Sequence, residues 1–114
     1  MKIALCNEVL QPLPFAQQCA LAAALGYDGL EVAPFTLAAN PLELNDAQGR
    51  EFARIAADHG LAITGLHWLL VAPARLSIVS ADAAVRRRTA ITSNHILRIY
   101  RQILDWRPYG SAPD

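Results

Sequence analysis

An α/β domain of parallel strands joined by crossover helices is predicted by three features of this 114-residue chain. Short apolar runs bounded by turn residues alternate with longer segments whose apolar residues recur at helical spacing, in the order strand, helix, strand, helix, strand, helix. Two glycine stops, Gly26 and Gly60, lie about 34 residues apart, and each is followed within a few positions by another glycine and an apolar run. That period is close to the roughly 31 residues per unit of a typical ~250-residue (β/α)8 barrel. The expectation is a single incomplete βα-repeat domain over residues 1–114, holding about three units of a partial (β/α)8 barrel.

The elements follow in order. Ile3-Ala4-Leu5-Cys6 reads as a fully buried strand that ends in the polar pair Asn7 and Glu8. After the proline-punctuated loop Gln11 to Pro14, the apolar residues Phe15, Cys19, Ala22 and Leu25 predict a helix over Pro14 to Leu25, stopped by Gly26. Gly29-Leu30-Glu31-Val32 reads as the second strand, between Asp28 and Pro34. Asn45, with Gln48 three residues on, forms an imperfect capping box for a second helix with an apolar stripe of Phe52, Ile55 and Ala56. Asp46/Arg50 and Arg54/Asp58 are expected i,i+4 pairs on it, and Gly60 ends it. Ala62 to Leu70 reads as a third strand with His67 and Trp68 near its C-terminal end, and Ser80 or Asp82 is the expected cap of a third helix.

Composition narrows the function classes. Ten basic and ten acidic residues give a formal net charge of +0, so no long-range field gathers nucleic acid or an anionic membrane surface. The apolar runs are too short for the ~18–20 residues of a membrane span, and the N-terminus has no secretory leader pattern, so the expected address is cytoplasmic. Cys6 and Cys19 are too few for a disulfide framework and read as buried, reduced thiols. The charge is unevenly spread: four basic and eight acidic residues precede Arg86, whereas six arginines and two aspartates follow from there. Ile96, Leu97, Ile99, Tyr100, Ile103 and Leu104 keep a crowded helical pattern, and Trp106 to Asp114 reads as loop.

Gly26-Tyr27-Asp28-Gly29-Leu30-Glu31-Val32, followed by Gly60-Leu61-Ala62-Ile63-Thr64-Gly65-Leu66-His67-Trp68, resembles the start of the sugar phosphate isomerase/epimerase family. That family belongs to the xylose-isomerase-like TIM barrels, which also include the endonuclease IV type of abasic-site nuclease. The resemblance runs from about Lys2 to Arg88, with residues 89–114 a divergent helical and loop tail. One base out of frame, Trp106-Arg-Pro-Tyr-Gly back-translates to Gly-Asp-Arg-Met, which is similar to the family's entry into a fourth strand, so a frameshifted or truncated gene is one expected origin of the tail and a deliberately expressed fragment the other. The resemblance implies a divalent metal (Mn, Mg, Co or Zn), a small sugar or sugar phosphate as substrate, and proton transfer beside a sugar carbonyl. It also implies that most metal-binding and proton-transferring residues lie on strands four to eight, so a chain of three units is expected to be inactive alone.

Five residues are candidates for a substrate pocket. Glu31 ends a buried strand on the face where parallel α/β proteins keep their sites, and a carboxylate there needs a partner, a metal or water to offset desolvation. The resemblance implies contact with sugar hydroxyls or support of a metal shell; a paired rim carboxylate is the structural alternative. His67 lies on the same face one unit later and is the one candidate metal ligand, because a strand-three histidine fills that role in the nuclease branch; a half-buried histidine bonded to backbone is the alternative. Trp68 is expected to point away from His67 and reads more readily as core than as a sugar platform. Asn7 and Glu8, at the end of the first strand, are weaker candidates.

Other polar residues read as structural. His59 suits a helix C-terminus, and Arg86, Arg87 and Arg88 fan around a helix as a solvated face. Asp58 and Asp82 have no convergent partner, and no nucleophile triad, phosphate loop or dinucleotide fingerprint occurs. A non-catalytic half barrel that self-associates through its exposed strand edges is the second expectation.

Overall fold

In a computed structural model of the chain, three parallel strands and three helices alternate as predicted. The structure describes residues 1–106, the side chain of Asp105 excepted. The strands are β1 (Ala4–Cys6), β2 (Gly29–Val32) and β3 (Ala62–Leu66), and the helices are α1 (Phe15–Ala24), α2 (Asp46–Asp58) and α3 (Ala83–Asp105). The sheet runs β1-β2-β3 with both pairings parallel, so β2 is central and β1 and β3 are its edges among the described residues.

Period-two alternation divides the sheet's residues between two faces. Leu30 and Val32 are fully buried against Cys19 and Ala22 of α1, Ala56 of α2, and Leu61, with Leu5, Ile63 and Leu66 packed around them. Complete burial of a side chain such as Leu30 contributes about 1.5–3 kcal/mol. The same burial pushes the Cys19 thiol up to about 11, since a thiolate there would lose its hydration. Both cysteines are free thiols, Cys19 buried and Cys6 only partly so, which corrects the expectation that both are buried. The opposite face carries small residues: Ala4, Gly29 and Ala62 lie in one row, and Thr64 adjoins them in an open recess.

Local chemistry explains the helix ends. Asn45 Oδ1 accepts from Gln48 N at 2.8 Å while Asn45 N donates to Gln48 Oε1 at 2.9 Å, a complete capping box. Asp82, of the two predicted caps, starts α3 by accepting from Ala84 N at 2.8 Å. Gly26 and Gly60 take the left-handed backbone, φ 88° and 72°, that stops α1 and α2. The third helix runs unbroken through Arg88 and buries Ile96, Ile99 and Ile103 on one stripe. Residues 107–114 of the predicted C-terminal loop lie outside the described residues.

Further predicted features are corrected. The first strand is not fully buried: as an edge of the described sheet it leaves Ile3 and Ala4 exposed and Leu5 and Cys6 partly so. Asp46 pairs across to Arg98 of α3 at 3.0 Å instead of with Arg50, whose Nη1 donates to Gln102 Oε1 at 3.2 Å. The long α3 alongside α2 supplies these partners, while Arg54 keeps the expected pair with Asp58 and adds Glu51. The third strand ends at Leu66 and not at Leu70. Its partner β2 has no further donor to extend the ladder, because Ala33 N is taken by Asn7 Oδ1 and Pro34 has no N–H.

One irregularity orients the sheet. Leu30 pairs with Ile63, but Glu31 pairs with Gly65, so β3 carries one extra residue, Thr64. Gly29 makes room for it: a Cβ there would lie 2.7 Å from Ala62 O and 2.9 Å from Thr64 Cγ2. Gly29→Ala is therefore expected to lower stability by about 1–3 kcal/mol in urea denaturation. An unchanged midpoint would show that the approach is not required.

Candidate functional site

The bulge decides which face His67 occupies. In a regular strand His67 would share the face of Ile63, four residues earlier, and point at the helices. The extra residue reverses that parity after Thr64, so Gly65 and His67 join the face of Glu31, and Leu66 stays with the core. The His67 backbone N–H then donates to Val32 O at 2.9 Å, the last rung beside the sheet.

There the two side chains meet. His67 Nδ1 lies 3.2 Å from Glu31 Oε1, and both groups are half-exposed. A carboxylate oxygen at this distance favours the tautomer that carries its proton on Nδ1, in which Nε2 keeps its lone pair. The pair thus presents one imidazole acceptor and a half-exposed carboxylate whose oxygens make no hydrogen bond among the described residues. Such a site can hold hydroxyl groups and accept a proton. At this exposure the pair contributes at most about 1 kcal/mol to stability, so its value lies in orientation.

Trp68 departs from its predicted place. It is 54% exposed and not core, and its φ of 54° is left-handed. That conformation breaks the strand's alternation, so the indole lies over its own neighbour: the His67 and Trp68 rings stack with centroids 5.0 Å apart and planes at 22°. Phe35, from the turn after β2, stacks on Trp68 at 6.4 Å and 25°. A left-handed aromatic residue is costly, and such strain persists where surrounding contacts hold it. Trp68 to Val71 line a wide apolar recess of about 590 Å³.

Asn7 is fully buried and acts as a latch. Its Nδ2 donates to Gln18 Oε1 at 3.0 Å and Thr36 Oγ1 at 2.7 Å, and its Oδ1 accepts from Ala33 N at 2.8 Å. These bonds tie the end of β1 to α1 and to the turn that carries Phe35, so Asn7 supports the aromatic stack from beneath and does not face the recess. Sequence reasoning missed Gln18, Phe35 and Thr36. Only the Asn7 position at a strand end hinted at such a network. Glu8 is partly buried, with Oε2 out of solvent and without a hydrogen-bond partner. No bond joins Glu8 to Glu31 or His67 among the described residues.

The structural readings divide. His59 bonds through Nδ1 to Ile55 O at 2.8 Å, as expected of a residue closing a helix. The arginine run is more than a solvated face: Arg86 holds Ser80 O and Ala81 O at 2.7 and 3.0 Å, and Arg88 holds Arg75 O at 3.3 Å. With Thr89, which accepts from Ser77 N at 2.9 Å, they moor the loop after β3 to α3.

The residues present do not complete a site for the implied divalent metal. Among the described residues no group of three or more His, Cys, Asp or Glu converges on one point. Glu31 and His67 offer two donor groups 3.2 Å apart, whereas a catalytic centre such as zinc's has three protein ligands and an open position. Nor is any described helix long and apolar enough to cross a membrane.

No protein-family model and no curated protein matches the sequence. Among solved structures, a crystal structure of D-psicose 3-epimerase in the presence of D-fructose aligns with a TM-score of 0.69 at 21% identity. The fold is a partial TIM barrel. The alignment covers 100% of this chain and 42% of that enzyme, so the chain spans less than half of its length. In a TIM barrel the C-terminal ends of the strands form the active-site face, which is where Glu31 and His67 meet.

Glu31→Gln is expected to change stability by less than about 1 kcal/mol while releasing the tautomer of His67. Nitrogen-15 NMR of the histidine ring checks this, and an unaltered tautomer ratio would rule out Glu31 as its determinant.

Proposed function

We propose that this chain carries the first βα units of a sugar isomerase or epimerase of the metal-dependent TIM-barrel type, and that Glu31 and His67 belong to its substrate pocket. The observation that carries the reading is the Glu31–His67 pair at the C-terminal end of parallel strands in a partial TIM barrel. The fold likeness to D-psicose 3-epimerase supports the reaction class. This chain's residues bind and orient: His67 Nε2 accepts from a sugar hydroxyl, the Glu31 carboxylate accepts from a second, and Trp68 flanks both. Asn7 holds the surrounding turn, while Glu8, with one carboxylate oxygen out of solvent, is not joined to the pair. A divalent metal, which would polarise substrate oxygens when bound, needs at least one more ligand than the described residues supply.

The chain alone is accordingly expected to bind sugar weakly and to turn none over. Supplied with Mn²⁺ or Co²⁺ and D-fructose, it should form no epimer above a no-protein blank by chromatography, and turnover would overturn the incomplete-site reading. D-Fructose should shift the His67 ring resonances. If neither ketoses nor aldoses move them, the pocket reading fails.

A second reading has its own observation. β1 and β3 are open parallel edges among the described residues, and the small-residue face of the sheet is uncovered. Unpaired edges template pairing between chains, so self-association is the expected state. A monodisperse monomer by light scattering at micromolar concentration would count against it.

A further inference from the structure

One peptide group lies between the buried Asn7 network and the half-exposed pair. Asn7 Oδ1 accepts from Ala33 N at 2.8 Å, and Val32 O, on the same peptide unit, accepts from His67 N at 2.9 Å. A trans peptide is planar, with its N–H and C=O pointing in opposite directions, so a bond that fixes one group fixes the line along which the other accepts. Linked hydrogen bonds of this kind also polarise one another, most strongly out of contact with water. Val32 and Ala33 are both fully buried.

Asn7 grips Ala33 twice. Besides the direct bond to its N–H, Asn7 Nδ2 donates to Thr36 Oγ1 at 2.7 Å, and that hydroxyl donates to Ala33 O at 2.6 Å. The other Nδ2 hydrogen goes to Gln18 Oε1 at 3.0 Å, and Gln18 Nε2 is held in turn by Leu13 O at 2.9 Å. With an acceptor and two donors all engaged, the amide of Asn7 has one orientation. On the far side of the peptide, His67 lies where the sheet gives out: β3 ends at Leu66, and the backbone turns left-handed at Trp68. The rung to Val32 O therefore holds His67 between the regular ladder and a reversal.

Resting on the proposed sugar pocket, we infer that Asn7 is a positioning residue of that site: through the Val32–Ala33 peptide group it sets the place from which the His67 imidazole meets Glu31 and a ligand. An asparagine suits the role because one side chain supplies an acceptor for the peptide N–H and two donors for the groups that brace it. A carboxylate would lack the donors, and alanine all three.

The test compares two substitutions in the full chain. Asn7→Ala deletes the bond to Ala33 N, whereas Gln18→Met removes a buried partner of Asn7 and leaves that bond in place. Each loses a buried hydrogen bond, so hydrogen exchange is compared at matched stability, set by urea denaturation. The inference expects the His67 amide to exchange at least about fivefold faster in Asn7→Ala than in Gln18→Met. It also expects the shift of the His67 ring resonances by D-fructose to need about fivefold more sugar in Asn7→Ala, and no more than about twofold in Gln18→Met. A smaller difference in His67 exchange, or equal D-fructose responses in the two variants, overturns the inference, since a merely structural latch acts through stability alone. Should either variant fail to fold, the parent chain decides: the Ala33 and His67 amides, joined across one peptide, are expected to open together and to show protection within about threefold of each other. A larger gap, with His67 the faster, overturns the inference. Failure of the exchange comparison leaves the sugar pocket standing, whereas a parent His67 ring that no sugar shifts removes the pocket reading and this role with it.

Discussion

Thr64, the residue that β3 carries beyond its partner strand, sets the geometry on which the site depends. Side chains alternate along a strand, so one inserted residue exchanges every later position between core and open face. Ile63 before the bulge packs among the core residues, yet His67 four residues later stands beside Glu31 on the other face. The insertion is possible because Gly29 opposite has no Cβ to meet Ala62 O and Thr64 Cγ2. The Gly-Tyr-Asp-Gly turn into β2 therefore serves the site as well as the chain reversal, through one absent methyl group.

Around the pair, strength and exposure are divided in a consistent way. The contacts that hold the frame are buried: Asn7 satisfies Gln18, Thr36 and the Ala33 N–H together, in a setting where an unpaired polar group costs about 1–3 kcal/mol. The Glu31–His67 contact and the Trp68 stack, by contrast, are half-exposed and individually weak. A weak, half-exposed pair can rearrange at little cost, whereas the buried Asn7 latch cannot. The left-handed Trp68 sits where these two classes meet, held by Phe35 from the latched turn and by His67 from the strand.

The third helix has a wider role than covering a strand. Its buried isoleucines pack where α2 and the loop after β2 meet, His95 Nε2 bonds Leu44 O at 2.7 Å, and Arg98 reaches Asp46 at the start of α2. Its first turns, through Arg86, Arg88 and Thr89, moor the apolar loop that lines the recess. Three arginines of this stretch, Arg86, Arg88 and Arg98, are thus engaged within the molecule, on backbone carbonyls and the acidic first turn of α2.

What the sequence determined by itself is what short stretches of chain decide through local physics. Periodicity placed three strands and three helices, Asn45 with Gln48 and Asp82 marked helix starts, Gly26 and Gly60 marked ends, and Glu31 stood out as a carboxylate closing an apolar run. Each rests on hydrogen bonds or alternation within a few residues. Tertiary structure decided the rest, because the deciding partners are distant in sequence. The face of His67 depends on a register shift against β2, the exposure of Trp68 on a backbone reversal stacked against Phe35, and the burial of Asn7 on acceptors and donors 11 to 29 residues away. Asp46 chose Arg98 over Arg50 once α3 lay beside it, 52 residues along the chain. A strand's alternation is visible in one segment; the place where it is broken is visible only against the neighbouring strand.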